Sequence, residues 1–370
     1  MGPLTGVRVV ELVGLGPGPF AGMLLADMGA DVLAVDRVGS ASPPAGVLHR
    51  GKSITAVDLK NPAGASVVLR LAAAADALIE VFRPGVAERL GIGPDACLAR
   101  NPGLIYGRLT GWGQDGPWAA RAGHDIDYIA LAGALEPLGR AGQPPTPPIN
   151  VLGDFAGGGM LLAFGIACAL WERSISGAGQ VIDAAMIDGA AVMMAPFITG
   201  RATGSWGPRG TNLLDTAAPF YEVYETADGE WMAVGAIEPQ FHAALLAGLG
   251  ATGDPELSAQ YDRGRWPGQK ARLASIFRSR TQEEWCAVFE GTDACVAPVL
   301  AAGDAARHPH NIARGTFVER GAALEPAPAP RFGRSSVGVP KSPAPADLTT
   351  WGFGAGELAE LRATGAIGPE

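Results

Sequence analysis

Val7-Arg8-Val9-Val10-Glu11-Leu12 is an apolar run of strand length, residues 20–28 follow with helical character, and Asp31-Val32-Leu33-Ala34-Val35 forms a second run ending at Asp36-Arg37. Two buried strands joined through a helix make a βαβ unit, which builds a parallel sheet with helices on its faces. The loop between them holds a formal GxGxxA in Gly16-Pro17-Gly18-Pro19-Phe20-Ala21. Asp36 stands about 20 residues on, where a dinucleotide fold places its ribose-binding carboxylate. Against a nicotinamide site, Pro17 and Pro19 remove two backbone N–H groups from a loop that would have to approach a pyrophosphate. A tight strand-to-helix turn is the preferred reading of these glycines.

Working outward, residues 54–57, 77–82, 104–109 and 180–184 read as further strands, with an Ala-rich helix over 62–75 between two of them. The fold class is therefore α/β, with a Rossmann-like parallel sheet in a large lobe. Leu48-His49-Arg50-Gly51-Lys52-Ser53 places two cations around a glycine. They suit a diphosphate grip, although taken alone a solvated basic turn is the preferred reading. Arg83 follows the strand over 77–82, and ligands of such sheets collect beyond the C-terminal strand ends, which makes it a candidate anion contact. The loop Thr110-Gly111-Trp112-Gly113-Gln114-Asp115-Gly116-Pro117 is rich enough in glycine for a close approach, or simply for turning.

Two polar groups then stand at the starts of helical patterns. Ala122-Gly123-His124-Asp125-Ile126-Asp127-Tyr128 puts an imidazole just before a helix over 125–135, where a cap or a surface residue is the bland reading. After the stiff connector 143–148, Ile149-Asn150-Val151-Leu152-Gly153-Asp154-Phe155 puts a carboxyl before a helix over 155–173. That helix is apolar nearly all round, which predicts burial. Asp is a favoured N-cap, and a carboxyl there also lies beside amides able to hold an oxyanion. Gly157-Gly158-Gly159 in the first turn costs stability and implies that a ligand or another backbone comes close.

Beyond residue 200 the pattern changes. Residues 201–219 read as a linker, and residues 220–315 as a small α+β lobe, with a hairpin around Ala227-Asp228-Gly229 and a capping box at Thr281-Gln282-Glu283-Glu284. A return linker over 316–324 leads to a Pro-rich strap, and residues 325–370 complete the large lobe of residues 1–200.

Composition excludes several classes. The four cysteines (Cys97, Cys168, Cys286, Cys295) show no CxxC and the five histidines no HExxH, so neither a disulfide framework nor a zinc site is encoded. A net charge of −9 argues against nucleic-acid partners, which need clustered cations. The longest apolar run, residues 160–171, is short of the roughly 20 residues of a membrane span. With no basic leader before the first strand, a cytoplasmic protein is expected.

Several of these stretches together resemble the family III CoA-transferase (CaiB/BaiF-like) superfamily, and within it the racemase branch. They are Gly6-Val7-Arg8-Val9-Val10-Glu11, Ala26-Asp27-Met28-Gly29-Ala30-Asp31-Val32, Arg83-Pro84-Gly85, Thr110-Gly111-Trp112-Gly113 and Gly123-His124-Asp125. The likeness runs from Gly2 to about Arg334. It implies His124 and Asp154 as the two acid/base groups, with Glu238 partnering the histidine and Asp125, Tyr128 and Asn150 around the pocket. Asp36, Arg37, Lys52 and Arg83 fall on positions expected near CoA. An interlocked homodimer is also implied. Asp127 stands where Asn is expected of relatives, and a carboxylate near His124 favours imidazolium.

The implied reaction inverts the alpha carbon of a 2-methylacyl-CoA thioester. A proton must leave one face and another arrive on the opposite face, so two groups are needed, exchanging roles with the enantiomer bound. No metal or redox cofactor is expected, coenzyme A being part of the substrate. The alternative within the same fold is a CoA transferase using Asp154 as nucleophile through an acyl anhydride. A non-catalytic acyl-CoA sensor ranks last, since it has no use for the His and Asp pair.

Overall fold

The computed structural model of the chain describes residues 1–40, 46–321 and 323–369. Two compact units are present: Met1–Gly133, Pro148–Met194 and Arg314–Glu370 form the first, and Ala134–Pro147 with Ala195–Ala313 the second.

The first unit carries β1 (Arg8–Leu12), α1 (Pro17–Asp27), β2 (Asp31–Asp36), β3 (Ser53–Ala56), α2 (Pro62–Ala73) and β4 (Ala77–Glu80). The short α3 (Val86–Arg89) and α4 (Pro94–Leu98) precede β5 (Ile105–Thr110) and α5 (Asp125–Leu131). A π-helical segment, Val151–Met160, runs straight into α6 (Leu161–Ser176), followed by β6 (Gln180–Ala185) and α7 (Met186–Met193). The seven-stranded sheet is parallel throughout and has the order Ala344–Pro345, β3, β2, β1, β4, β5, β6.

Both faces are covered, and the period-2 alternation of the strands divides the core. Val10, Leu12, Leu33, Val35 and Leu78 face one cluster with Val67 and Leu71 of α2. Val9, Val32, Ala77 and Ile79 face the other with Leu25 of α1 and Leu162 and Ile166 of α6. Continuous apolar runs are what a sheet buried on both sides requires.

Three sequence expectations need correction here. Helix α1 begins at Pro17, not at residue 20: Pro17 occupies the first turn, where a missing N–H costs nothing. The long helix begins at Val151 with Asn150 as its N-cap, so Asp154 lies inside the first turn. And burial is one-sided. Leu162, Ala163, Ile166 and Ala169 pack on the sheet, whereas Met160, Phe164, Trp171 and Ile175 are 53%, 65%, 71% and 74% exposed. Their spacing of four, seven and four residues puts them on one stripe. By length and composition alone Val151–Ser176 is also long and apolar enough to cross a membrane, which the shorter run 160–171 had not suggested. Its inner side is core of the sheet layer.

The Pro-rich return is more than a strap. Residues 316–324, expected as a linker, contribute to the antiparallel pair Phe317–Arg320 and Ala323–Pro326, and Ala344–Pro345 adds the outermost strand beside β3.

The second unit is built on an antiparallel sheet of Tyr221–Glu225, Trp231–Gly235 and Val296–Pro298. An aromatic core of Phe220, Tyr224, Phe277, Trp285 and Phe289 fills it. The capping box forms as expected, Thr281 N donating to Glu284 Oε2 at 2.8 Å and Glu284 N to Thr281 Oγ1 at 3.2 Å. The segment 201–219 is ordered by local polar contacts. The Asp215 carboxylate accepts from Gly210 N, Asn212 N and Asn212 Nδ2 at 2.7, 2.7 and 2.6 Å. Residues 134–147 belong to this unit too, Arg140 making a bidentate pair with the buried Glu222 at 2.5 and 2.8 Å.

Candidate active site

The strand order reverses between β1 and β4, and in open parallel sheets the crevice beyond the C-terminal strand ends at that point is where ligands bind. The loop after β1 lies tight against the loop after β4: a Cβ on Gly14 would fall 2.2 Å from Val81 Cγ2. Gly16 has φ 63°, and a Cβ there would come within 3.4 Å of Asp154 Oδ2. The glycine loop therefore serves the approach to Asp154, and the tight-turn reading stands.

Asp154 is held from two sides. Asn150 Nδ2 donates to its Oδ2 at 3.1 Å, and its own backbone N–H donates to Asp125 Oδ2 at 2.7 Å. Gly153 N donates to the same Asp125 oxygen at 2.7 Å. The amides of Gly153 and Asp154, expected to face a developing oxyanion, are thus already occupied. Burial raises the Asp154 pKa; the Asn150 amide draws it down, the Asp125 charge pushes it up and the His124 charge draws it down, leaving it above the ordinary aspartate value. Because the residue next to His124, Asp125, accepts from Asp154 N, the fold brings the two expected acid/base positions near one another across 30 positions of chain.

His124 is the N-cap residue of α5 in an extended conformation (φ −132°). The Asp127 carboxylate accepts from the His124 backbone N–H at 3.0 Å, so the carboxylate expected to bear on the imidazole serves the backbone. Helix α5 ends at Leu131, short of the expected 135, with Gly133 at φ 75° shortly beyond. Tyr128 is buried, its hydroxyl donates to Gly123 O, and its ring meets Trp112 edge-on at 4.8 Å. A Cβ on Gly111 would fall 2.1 Å from that ring, which explains the glycine of the Thr110-Gly111-Trp112-Gly113 loop. Burial, then the Asp154 charge, push the Tyr128 pKa up to about 12, with Arg83 acting in the opposite sense. Arg83, exposed just past β4, thereby belongs to the same neighbourhood.

The glycine triplet serves backbone packing. Cβ atoms on Gly157 and Gly159 would fall 2.9 Å from Ala190 N and 2.6 Å from Pro17 O, so α7 and α1 press directly on the π-helical segment. Such segments are frequent at functional sites.

Of the expected CoA contacts, Asp36 ends β2 half-buried and Arg37 is exposed next to it. Lys52 needs correction. Its side chain is 0% exposed, and its ammonium donates to Glu11 Oε2 at 2.6 Å and to Pro19 O at 2.8 Å. Arg50 is equally enclosed, bidentate on Asp27 at 3.0 and 2.5 Å and bonded to Pro326 O at 2.6 Å. Neither cation is a solvated turn nor a free phosphate ligand; both are structural ion pairs. Gly22 makes room for the first, since a Cβ there would fall 1.8 Å from Glu11 Oε2. His49, between the charges of Lys52 and Asp36, is buried and its pKa falls to about 4, mostly through that burial. Glu238 lies in the second unit, exposed, as the N-cap residue of the helix Pro239–Gly248.

The sequence reading missed that Asp125 is a cap for a different helix. A signal existed in Gly153, whose missing side chain leaves space for the carboxylate: a Cβ there would fall 2.7 Å from Asp125 Oδ2.

Residues 4–347 match the model of CoA-transferase family III. The chain is 51% identical over 334 residues to a mouse (Mus musculus) protein named alpha-methylacyl-CoA racemase, covering 90% of this chain and 87% of that one. It is 32% identical over 336 residues to the succinyl-CoA–D-citramalate CoA-transferase of Chloroflexus aurantiacus, covering 85% and 83%. Among solved structures, a CaiB/BaiF family protein from Brucella suis superposes with a TM-score of 0.79 at 26% identity over 97% of this chain and 99% of that one.

Proposed function

This chain belongs to CoA-transferase family III, and on that premise we propose that it is a racemase acting on 2-methylacyl-CoA thioesters. What supports the reading is the hydrogen bond from Asp154 N to Asp125, the neighbour of His124, which ties the helix start at the histidine to the first turn that carries Asp154. Neutral His124 takes the alpha proton from one face and becomes imidazolium, while protonated Asp154 gives its proton to the resulting enolate carbon on the other face. The opposite enantiomer runs the sequence backwards, so the pair holds one proton between its members before and after each turnover and two while the enolate exists. Burial raises the Asp154 pKa, the direction that favours its acid form. No electrons are exchanged, and the carbonyl of the thioester supplies the electron sink, so the scheme calls for no resident metal or redox cofactor. Glu238 is proposed as support for the histidine.

The mouse relative named as a racemase supports this reading over transfer. The transferase of Chloroflexus keeps the second reading in the family: there Asp154 would attack as a carboxylate, and a histidine would have no part. One assay separates them. In D₂O the wild-type protein is expected to wash deuterium into the alpha position of a 2-methylacyl-CoA and to converge on both epimers from either start. Transfer of CoA to an added carboxylate with the alpha proton untouched would establish the other reading. In the same assay Arg37→Ala and Arg83→Ala, which we place on the CoA phosphates with Asp36 nearby, should raise KM with little change in kcat.

We also propose a homodimer in which a second copy covers the exposed stripe of α6. Large apolar side chains at Met160, Phe164, Trp171 and Ile175 in one row are an interaction surface by their chemistry. Wild-type protein should sediment as a dimer at low micromolar concentration, and Trp171→Glu should shift it toward monomer. A wild-type protein that is monomeric, folded and fully active would remove the proposal.

A further inference from the structure

The geometry points to Asp125 as the positioning residue that fixes Asp154 relative to His124, a role that rests on the racemase reading above. Asp125 follows His124 directly in sequence and opens α5, yet its carboxylate caps another helix. One oxygen, Oδ2, accepts from both Gly153 N and Asp154 N at 2.7 Å. The first amides of a helix have no partner within it, and those of the segment Val151–Met160 find theirs here. A single side chain thus bolts the helix that starts at the imidazole to the helix that carries the carboxyl.

The surroundings leave this carboxylate little freedom. Asp125 is 5% exposed, and its other oxygen, Oδ1, is buried without a hydrogen-bond partner. Gly153 cannot carry a side chain without displacing it, the Cβ falling 2.7 Å from Oδ2. A buried anion with one unsatisfied oxygen costs stability, and its retention in a native fold calls for a functional reason. What depends on it here is a separation between two proton-transfer groups, and rate is sensitive to such distances: a displacement of about 1 Å can cost about 10²-fold.

The charge acts as well. The ionisable groups facing Asp154 are His124 and Asp125 from the α5 side, and Tyr128 shares the site. The loop after β1 meets Asp154 with Gly16, and α1 meets the neighbouring Phe155 with Phe20 at 4.9 Å between ring centroids. Asp125 is therefore the anion that favours protonated Asp154, while Asn150 favours the ionised form. The two neighbours predict opposite shifts. Activity appears as pH rises once the pair has lost its second proton, and a higher Asp154 pKa delays that loss. Removing the Asp125 charge should move the acidic limb of the kcat/KM profile to lower pH, and removing the Asn150 donor should move it to higher pH.

The experiment uses the full-length protein with Asp125→Asn, Asp125→Ala and Asn150→Ala, assayed in both directions for inversion and for deuterium uptake at the alpha carbon. Asp125→Asn keeps an acceptor for the two amides and removes the charge. It should retain most inversion, with KM unchanged and the acidic limb shifted down. Asp125→Ala removes the bolt, and should lose about 10²-fold in kcat at unchanged KM while deuterium uptake per inversion rises, because with a misplaced partner the base that took the proton exchanges it with D₂O and returns a deuteron to the original face. If Asp125→Ala does not fold, the Asn variant decides. An unmoved acidic limb in Asp125→Asn, or a wild-type ratio of uptake to inversion in folded Asp125→Ala, overturns the assignment. The wild type is the control for the parent reading: absence of alpha exchange in it overturns racemisation itself, whereas exchange in the wild type with unaffected variants overturns only the role of Asp125.

Discussion

Replacing His124 or Asp154 by Ala is expected to abolish inversion, each change reducing turnover by about 10²–10⁴-fold. Inversion needs both faces of the alpha carbon, so loss of either group is as damaging as loss of the other. Partial reactions should differ. With His124→Ala only the enantiomer whose proton faces Asp154 retains slow exchange in D₂O, and Asp154→Ala should leave the other. His124 is exposed and caps α5 through its backbone, so its truncation leaves the fold intact. Asp154 is half-buried, with the Asn150 amide on its carboxylate, and can also be tested as Asn. Transfer chemistry predicts a different pattern: Asp154→Ala inactive, His124→Ala active, and an anhydride trapped by hydroxylamine in the wild type. Racemisation by His124→Ala at the wild-type rate would rule out the two-base mechanism.

The largest stability effect is expected at Lys52. Lys52→Met should lower unfolding free energy by about 3–5 kcal/mol, measured as a shifted urea midpoint at constant slope, because it leaves Glu11 buried without its counter-ion. Both side chains are 0% exposed. Burial alone pushes the Glu11 pKa up and the Lys52 pKa down, against their mutual attraction. The pair is sustained by the 2.6 Å contact and by the second acceptor at Pro19 O, a carbonyl of the first turn of α1. Glu11→Leu combined with Lys52→Met should recover much of the loss, since an apolar pair of similar volume is often tolerated where a lone charge is not. Folded Lys52→Met should keep the wild-type KM for the thioester. A raised KM with unchanged stability would return Lys52 to the phosphate.

The sheet was legible because its central strands β1, β2, β4 and β5 are buried on both faces. A continuous apolar run is a local property, and all six strands read from the sequence are in place, the exposed edge strand β6 included. The resemblance carried the candidate site further than local rules could. Taken alone, His124 and Asp154 each read as a helix cap, and nothing in their spacing says that they meet.

Errors arose where exposure or partners had to be inferred. Arg50 and Lys52 flank a glycine and look like a solvated turn, but Lys52 finds Glu11 across 41 positions and Arg50 finds Asp27 across 23. Apolarity all round α6 predicts burial, but the sheet covers only one side of a helix and the other side of α6 is exposed within this chain. By residue type Asp154 reads as an N-cap, while the actual cap of that turn comes from Asp125 on another helix.

Local sequence is enough for what one strand or one helix can settle: the parallel α/β architecture, the turns that glycine and proline permit, the capping box at Thr281, and the family to which the motifs point. Tertiary structure alone decided which charged groups are enclosed, which apolar face stays open, and how the two acid/base groups are held. The reason is physical. Hydrophobic periodicity is set by neighbours three or four positions away, whereas the ionisation and placement of a buried group depend on partners that only the folded chain brings within hydrogen-bond distance.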